Sequence, residues 1–328
     1  MKKINVSVIV PIYGVEKYIE RCARSLFNQT MKDGIEFIFV NDASPDNSIL
    51  LLNTIVNEFP ARKNQIKIIT HPINKGLAAA RNTGYANSSG QYIICCDSDD
   101  WVEPEMYELL FNKAIETNAD LVACDYWGDY PNRQIKYNQT PDCDTNEYRQ
   151  QIISGKVHNS LWNKLICKKA YEQLDFRFSE GINLWEDVSV LCRLIHYINK
   201  IAMIKKPLYH YSQTMSNSYT KLISPISVAN IESAAKIVCD FYRNLSAEKY
   251  LQEIKWIRSR AYVGCINRLP SWDIIDFNTK YTDIHSSDIQ SLPMPFYSKI
   301  SSILILHGYV SIGLALNTVA NKLRRLIR

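Results

Sequence analysis

The sequence predicts an α/β fold in which a mostly parallel central sheet is flanked by helices. Between residues 4 and 125, five short β-rich runs alternate with segments of helical periodicity. The runs are apolar at almost every position, as is typical of parallel strands covered by helices on both faces. This βαβ succession indicates a doubly wound domain. The five runs are INVSVIV, EFIFV, IKIIT, QYIICCD and ADLVACD.

The second half of the chain is predicted to contain a loop, an ordered segment and helices. Residues 126–160 are polar and aromatic with weak periodicity, which favours a mobile loop or hairpin beside a functional site. Order returns over residues 161–211, where a helix is expected from about Glu186. Residues 225–270 have helical patterns, and residues 271–292 are interpreted as a linker.

Size and composition are those of an ordinary globular enzyme. The 328 residues can bury a sizeable core, and 46% hydrophobic with 22% charged residues indicates neither disorder nor a polytopic membrane protein. The net charge of +5 comes without a basic and aromatic patch, so no nucleic-acid partner is expected. Nine cysteines without a C-x-x-C pair indicate buried free thiols in a reducing compartment. The start, MKKINVSVIVPIYG, is predicted to be a strand rather than a signal peptide, which favours a cytoplasmic location.

Three aspartates follow the fourth β-rich run, in the stretch YIICCDSDDW. Asp97, Asp99 and Asp100 repel one another unless a cation, a basic partner or water screens their charges. Carboxylate oxygens suit Mg²⁺ or Mn²⁺, which complete their coordination with substrate phosphates and water. The sequence lacks a G-x-G-x-x-G or P-loop motif, which makes dinucleotide and P-loop enzymes unlikely candidates. A solvated turn whose aspartates cap the next helix is the alternative.

Several longer motifs carry a family resemblance. VSVIVPIYGVEKYIERCARSLFNQT, FIFVNDASPDNS, NKGLAAARNTGYANSSGQYI and CDSDDWVEPEMYE occur in this order, followed by LWNKLI, NLWEDVSV and PLYHYSQTMSNS. In these motifs the chain resembles the family 2 glycosyltransferases over residues 6 to about 219. The resemblance implies a GT-A fold (Rossmann-like, with a mostly parallel sheet) and a C-terminal helical extension. It also implies inverting hexosyl transfer from a nucleotide-sugar donor, with UDP the most frequent nucleotide.

The resemblance assigns roles to the residues at the strand ends. Those that would line the nucleotide are Pro11, Tyr13, Glu16, Asp42, Lys75, Arg81 and Asp97. Asp42 would accept a hydrogen bond from the base, and Asp100 would face the donor sugar. Asp99 would bind the Mn²⁺ or Mg²⁺ ion directly, with Asp97 and a late histidine, His210, as further ligands. For Arg81 an ordinary helix-face charge, and for His210 a structural histidine, are the alternatives.

An inverting transfer to a hydroxyl also needs a base that removes the acceptor proton. The motif WEDVSV supplies Glu186 and Asp187 at a predicted helix start, where the helix dipole favours ionised carboxylates. The resemblance assigns the base to Asp187, with Glu186 binding the acceptor or stabilising the loop. Trp162, Asn163 and Lys164 are expected to line the acceptor side, although Trp162 could equally belong to the core.

The predicted domain organisation follows from these assignments. Residues 1–219 would form the catalytic domain, with a nucleotide-sugar half at 1–125 and an acceptor half at 126–219. Residues 220–328 would form a helical region that ends in an amphipathic basic tail.

The tail places apolar residues at spacings of four, three, four and three, at Ile312, Leu316, Val319, Leu323 and Leu326. Such a stripe predicts a helix lying on the cytoplasmic face of the inner membrane. The family resemblance implies that the acceptor is a glycan or a lipid-linked oligosaccharide of surface polysaccharide synthesis. A helix that packs on its own domain, or on a second subunit in a homo-oligomer, is the alternative.

Two competing functions share parts of this pattern. A non-catalytic nucleotide-sugar-binding scaffold would be favoured if the metal-binding aspartate or the base were missing, and both are present. A nucleotidyltransferase usually has a glycine-rich, basic loop after its first strand, where this chain has PIYGVEKY.

Overall fold

A computed structural model describes residues 3–174, 177–214 and 224–327, without the side chains of residue 321 and residues 324–327. The chain divides into two compact units. The first comprises residues 1–146 and 160–218, and the second comprises residues 147–159 and 219–328. The predicted boundary at residue 219 lies in a stretch outside the described residues.

The first unit is built on one mixed sheet. Its described strands are β1 (Val6–Ile12), β2 (Ile35–Asn41), β3 (Ile66–Thr70), β4 (Tyr92–Cys95), β5 (Trp101–Val102), β6 (Leu121–Tyr130), β7 (Arg133–Tyr137), β8 (Lys164–Cys167) and β9 (Ile201–Ser212). Their order is β3-β2-β1-β4-β8-β6-β9-β5, and β7 pairs with β6. The predicted parallel pairing holds for β1 to β4 and for β6 with β9. The pairings of β4 with β8, β8 with β6, β6 with β7, and β5 with β9 are antiparallel.

The described helices of the whole chain follow in order. They are α1 (Ile19–Phe27), α2 (Ser48–Glu58), α3 (Leu77–Ala86), α4 (Met106–Thr117), α5 (Thr145–Ser154), α6 (Lys168–Gln173), α7 (Glu186–Leu194), α8 (Pro225–Ser246), α9 (Leu251–Ile266), α10 (Ser271–Asn278), α11 (Ser286–Gln290), α12 (Phe296–Leu306) and α13 (Val310–Ile327). The predicted helix start at Glu186 is confirmed as the start of α7.

Buried strands organise the first unit. Every residue of β1 and β2 is buried, which explains why their sequences show no alternation of apolar and polar positions. On one face of the sheet, the ring of Phe27 meets those of Phe37 and Phe39 edge to face, at centroid distances of 5.8 and 5.9 Å. Each such pair adds roughly 0.5–1.5 kcal/mol beyond the apolar area that it buries. This packing fixes the carboxyl ends of the strands, where the candidate site lies.

The segment predicted as a loop or hairpin, residues 126–160, contains the β6–β7 hairpin and then α5. Most of α5 belongs to the second unit. Within that unit Arg260 of α9 donates to the carbonyl oxygen of Ile153 at 2.7 Å and to the side chain of Asn159 at 2.6 Å. These bonds explain why residues 147–159 group with helices that are distant in sequence.

Helices make up the second unit, as expected for residues 220–328. The interpretation of residues 271–292 as a linker was wrong, because this stretch forms α10 and α11 and buries Ile274, Phe277 and Ile289. The two helices are short and amphipathic, so their periodicity was too brief to detect. None of the helices in the described part of the chain is both long enough and apolar enough to cross a membrane.

Candidate active site

The predicted site residues of the first unit gather at the carboxyl ends of β1, β2 and β4. Tyr13 follows β1, Asp42 follows β2, and Asp97 and Asp99 follow β4. The three strands are parallel neighbours, so their ends meet at one edge of the sheet.

Arg81 connects the acidic end of β4 with the start of α7. One terminal nitrogen donates to Asp97 at 2.9 Å and the other donates to Glu186 at 2.6 Å. Although burial disfavours its charge, the two carboxylates raise the pKa of Arg81 well above its usual value. The side chain is almost fully buried, so the alternative of an ordinary surface charge does not describe it. Asp97 and Glu186, which lie 89 positions apart in sequence (186 − 97), therefore meet at one guanidinium group.

The first-turn carboxylates of α7 differ in exposure. Glu186 is buried against Arg81, whereas Asp187 is partly exposed and accepts a hydrogen bond from the backbone of Val188 at 2.7 Å. Burial and the neighbouring charge of Asp187 raise the pKa of Glu186 to about 7. Burial also raises the pKa of Asp187, while the positive charge of Arg81 opposes that rise. Trp185, the residue before them, has a left-handed backbone with φ of 68°, a conformation that bulky residues adopt at a cost and that is common at functional sites.

Asp99 is a carboxylate with a raised pKa and no ion-pair partner among the residues that the structure describes. Burial, and next the charge of Asp97, raise the pKa of Asp99 to about 7. Among the residues that the structure describes, Asp99 forms no ion pair, whereas Asp97 is paired with Arg81. The two carboxylates fit Mn²⁺ or Mg²⁺, which typically bind one or two protein carboxylates together with substrate phosphates. No group of three potential metal ligands occurs in the described ranges, so a purely protein-built cage is not found there.

Asp100, which is predicted to face the donor sugar, lies in the interior of the first unit. Asp100 is fully buried, and it accepts hydrogen bonds from the hydroxyl of Tyr209 at 2.6 Å and from the backbone of Ser212 at 2.7 Å. Burial and the charges of Asp99 and Asp97 raise its pKa well above the usual value. These hydrogen bonds join the acidic turn to β9, and contact of Asp100 with the donor sugar stays a prediction.

Sequence reasoning missed Tyr209. Its hydroxyl also accepts a hydrogen bond from the backbone N–H of Asp97 at 3.1 Å, so one phenol holds both ends of the acidic turn. Its ring stacks on Trp162 at a centroid distance of 4.2 Å. The only sequence signal was a tyrosine beside His210 in the motif PLYHYS.

The expected metal ligand His210 is already engaged. One ring nitrogen lies 2.9 Å from Asp129 and the other lies 3.0 Å from Glu103. Its ring stacks on Trp101, its partner across the β5–β9 pairing. In this arrangement neither nitrogen offers a free lone pair to a metal. The structure therefore favours the alternative of a structural histidine.

Asp42 shapes the loop before α3. It accepts hydrogen bonds from the backbone of Lys75 and Gly76 at 2.8 and 2.7 Å, and it lies 2.7 Å from His71. Gly76 has φ of +89°, and an added Cβ would lie 2.7 Å from the side chain of Asn183, so glycine is required there. Asp42 is buried, and the hydrogen bond that it would accept from the base stays a prediction.

The loop that follows β1 exposes the side chain of Tyr13. Pro11 is buried within β1, whereas the ring of Tyr13 is 49% exposed and the side chain of Lys75 is exposed on the neighbouring loop. Glu16 accepts hydrogen bonds from the backbone and side chain of Asn47 at 3.2 and 3.1 Å. Tyr13 and Lys75 are thus the most exposed members of the predicted nucleotide set, whereas Glu16 and Asp97 are partly buried.

The three residues expected on the acceptor side are buried. Trp162 packs in the aromatic core, in agreement with the alternative noted for it. Asn163 donates to the carbonyl oxygen of Cys124 at 2.8 Å, and Lys164 donates to the carbonyl oxygen of Ser160 at 2.9 Å. Asn163 and Lys164 are fully buried, and their contact with an acceptor stays a prediction. Burial lowers the pKa of Lys164 to about 7.

Arg81 joins an acidic turn at the end of a parallel strand to a second acidic pair, and the relatives of this chain make the arrangement the candidate active site of a glycosyltransferase. The chain belongs to glycosyl transferase family 2, whose family model matches residues 7–175. It is 33% identical to EpsH of Bacillus subtilis over 268 residues, which cover 77% of this chain and 74% of that protein. It is 34% identical to the glycosyltransferase GlyA of Streptococcus pneumoniae over 63% of this chain, but this match spans 30% of GlyA.

Solved structures show the same fold. Residues 1–349 of TarS from S. aureus, in complex with UDP-GlcNAc, match 93% of this chain and 91% of that chain with a TM-score of 0.61. The sequence identity is 18%, so this likeness supports the GT-A architecture alone.

Proposed function

We propose that the protein transfers a sugar from a UDP-sugar to a hydroxyl group of a glycan or lipid-linked oligosaccharide, in the synthesis of a cell-surface polysaccharide. The donor is inferred from the family and from the UDP-GlcNAc bound by the structural neighbour TarS. The observation that carries the proposal is the Arg81 bridge, because it holds the acidic turn beside the carboxylates of α7.

The proposed reaction is a single displacement with inversion. Asp187 removes the proton from the acceptor hydroxyl while the acceptor oxygen forms a bond to the anomeric carbon of the donor sugar. The bond from that carbon to the diphosphate oxygen breaks, and the nucleoside diphosphate leaves with the bonding electrons. Asp187 suits this role because it is partly exposed and because its raised pKa makes it a stronger base than an ordinary carboxylate.

The remaining site residues would bind the metal ion and the nucleotide and would orient Asp187. Asp99, with Asp97, would hold Mn²⁺ or Mg²⁺, which when bound would stabilise negative charge on the diphosphate. Tyr13 and Lys75 would contact the nucleotide from the open side of the site. Glu186 and Arg81 would keep Asp187 in place.

Titration calorimetry with UDP and with GDP, each with Mn²⁺ and with a chelator, tests the donor site. We expect metal-dependent binding of UDP that Asp99→Ala abolishes. The matched control is Asp273→Ala, which removes an exposed carboxylate from α10 and should leave binding unchanged. Failure of the folded protein to bind either nucleotide with metal present would reject the proposed donor.

Hydrolysis or transfer assays with a panel of UDP-sugars test the base. Asp187→Asn should retain UDP binding and lower turnover by about 10²–10⁴-fold, the usual contribution of a positioned base. Unchanged turnover in Asp187→Asn would remove Asp187 from the mechanism. Nucleotide-sugar binding without turnover on any acceptor would support the scaffold function instead.

A further inference from the structure

An apolar stripe is exposed along α13 of the second unit. Ile312, Val319 and Leu323 are 59%, 55% and 54% exposed. At about 100° per residue, the three lie within about 40° of one another around the helix. Leu316 lies beside them and is partly buried, whereas the side chain of Leu326 lies outside the described residues. Large apolar side chains clustered on one helix face usually mark an interaction surface.

Contacts within the second unit fix the orientation of this stripe. Gly313 packs against α12: an added Cβ would lie 2.5 Å from the side chain of Ile305, and Ser301 donates to the carbonyl oxygen of Gly313 at 2.8 Å. Asn317 donates to the side chain of Asn267 at 2.9 Å. Gly313 and Asn317 lie roughly 100° and 140° from Ile312 around the helix. The stripe therefore faces away from α12 and from Asn267.

The charge of the chain is concentrated in the same region. The whole sequence has 38 basic and 33 acidic side chains. Five of the basic residues and none of the acidic residues lie in residues 289–328, so the first 288 residues carry 33 of each sign. The five are Lys299, Lys322, Arg324, Arg325 and Arg328. The entire net charge of +5 thus belongs to the segment that contains the exposed stripe.

We infer that α13 binds an anionic lipid bilayer and lies in its surface, with Ile312, Val319 and Leu323 inserted below the headgroups. An apolar stripe combined with an excess of basic residues is the pattern of interfacial helices, which bind through buried apolar area and attraction to anionic lipids. A spanning role is not available to α13, since no helix among the described residues meets the length and hydropathy for crossing a membrane.

The charge pattern argues against a second copy of the chain as the occupant. A symmetric dimer formed through the stripes would place two segments, each with five basic and no acidic residues, against each other. Such like-charge contact opposes association, whereas an anionic surface supplies the complementary charge. The inference does not depend on sugar transfer, although a membrane location would concentrate the enzyme beside a lipid-linked acceptor.

Sedimentation of the purified full-length protein with lipid vesicles tests the inference. We compare vesicles of phosphatidylcholine alone with an equal mixture of phosphatidylcholine and phosphatidylglycerol. The protein should sediment with the anionic vesicles, and added salt should weaken this binding because it screens the attraction. Each basic residue near an anionic surface strengthens binding about five-fold. Replacing Lys322, Arg324 and Arg325 with glutamine should therefore lower the partition coefficient about a hundred-fold.

Matched variants separate a local effect from a change in total charge or apolar content. Replacing Lys63, Lys169 and Lys249 with glutamine changes the net charge equally at exposed sites outside the tail, and should leave binding nearly unchanged.

The stripe is tested in the same way. Glutamine at Ile312, Val319 and Leu323 should abolish vesicle binding, whereas Leu50→Gln with Ile115→Gln, at exposed apolar sites on α2 and α4, should not. Retained UDP binding and an unchanged circular dichroism spectrum would show that the variants fold.

Two results would overturn the inference. One is equal sedimentation of the wild type and both tail variants with anionic vesicles. The other is a wild-type dimer in analytical ultracentrifugation that the stripe variant dissociates, with no binding of either protein to vesicles; this would assign the stripe to self-association.

Discussion

The buried amine of Lys164 predicts a specific dependence of stability on pH. Burial lowers its pKa from 10.5 to about 7 in the folded protein, whereas the unfolded chain retains the higher value. Between these values the unfolded state holds more protons than the folded state, so the free energy of unfolding rises with pH. One pKa unit corresponds to about 1.4 kcal/mol, and integration from pH 7 to about pH 9 gives a gain of about 2 kcal/mol.

Urea denaturation followed by tryptophan fluorescence, at several pH values in this window, measures the effect. The Lys164→Met variant lacks the titrating amine, so its stability should rise by about 2 kcal/mol less than that of the wild type. Lys169→Met, an exposed replacement on α6, is the control and should keep the wild-type slope. Equal slopes for the wild type and Lys164→Met would refute the assignment of a depressed pKa to Lys164.

Two further predictions concern the acidic turn. Arg81→Met should destabilise the protein by roughly 3–5 kcal/mol, because it leaves Glu186 and Asp97 without their buried counter-charge. Adding Glu186→Gln should recover part of this loss in thermal or urea unfolding, and a purely additive double variant would contradict the ion-pair explanation. Tyr209→Phe removes the hydroxyl that joins Asp97 to Asp100, so stability should fall by about 1–3 kcal/mol and metal-dependent UDP binding should weaken in calorimetry. Unchanged UDP affinity would limit Tyr209 to a purely structural role.

Much of the fold followed from local patterns. The first four parallel strands were recognisable because each is a short apolar run that ends in polar residues, and α7 because acidic residues precede an apolar periodic stretch. The mixed half of the sheet was not predictable, since the antiparallel pairing of β5 with β9 joins residues more than a hundred positions apart. A strand as short as β5, with two residues, has too little sequence pattern to indicate its partner or its register.

The acidic residues of the candidate site could be identified from the sequence because they occur as close pairs. Asp97, Asp99, Glu186 and Asp187 stand out as paired carboxylates in sequence. The partners of these carboxylates were not predictable from the sequence. Arg81 binds two of these carboxylates, and Asp100 accepts hydrogen bonds from β9; both contacts depend on tertiary packing that the sequence pattern does not contain.

The shared guanidinium of Arg81 makes the two acidic motifs thermodynamically linked. A cation bound beside Asp97 would compete with Arg81 for that carboxylate. Arg81 would then pair more strongly with Glu186. Stronger pairing would lower the pKa of Glu186, and the negative charge of ionised Glu186 would raise the pKa of the neighbouring Asp187. Because linkage is reciprocal, ionisation at α7 would change affinity at the acidic turn by the same factor. Occupancy beside Asp97 and ionisation of the α7 carboxylates are thus two readouts of one equilibrium.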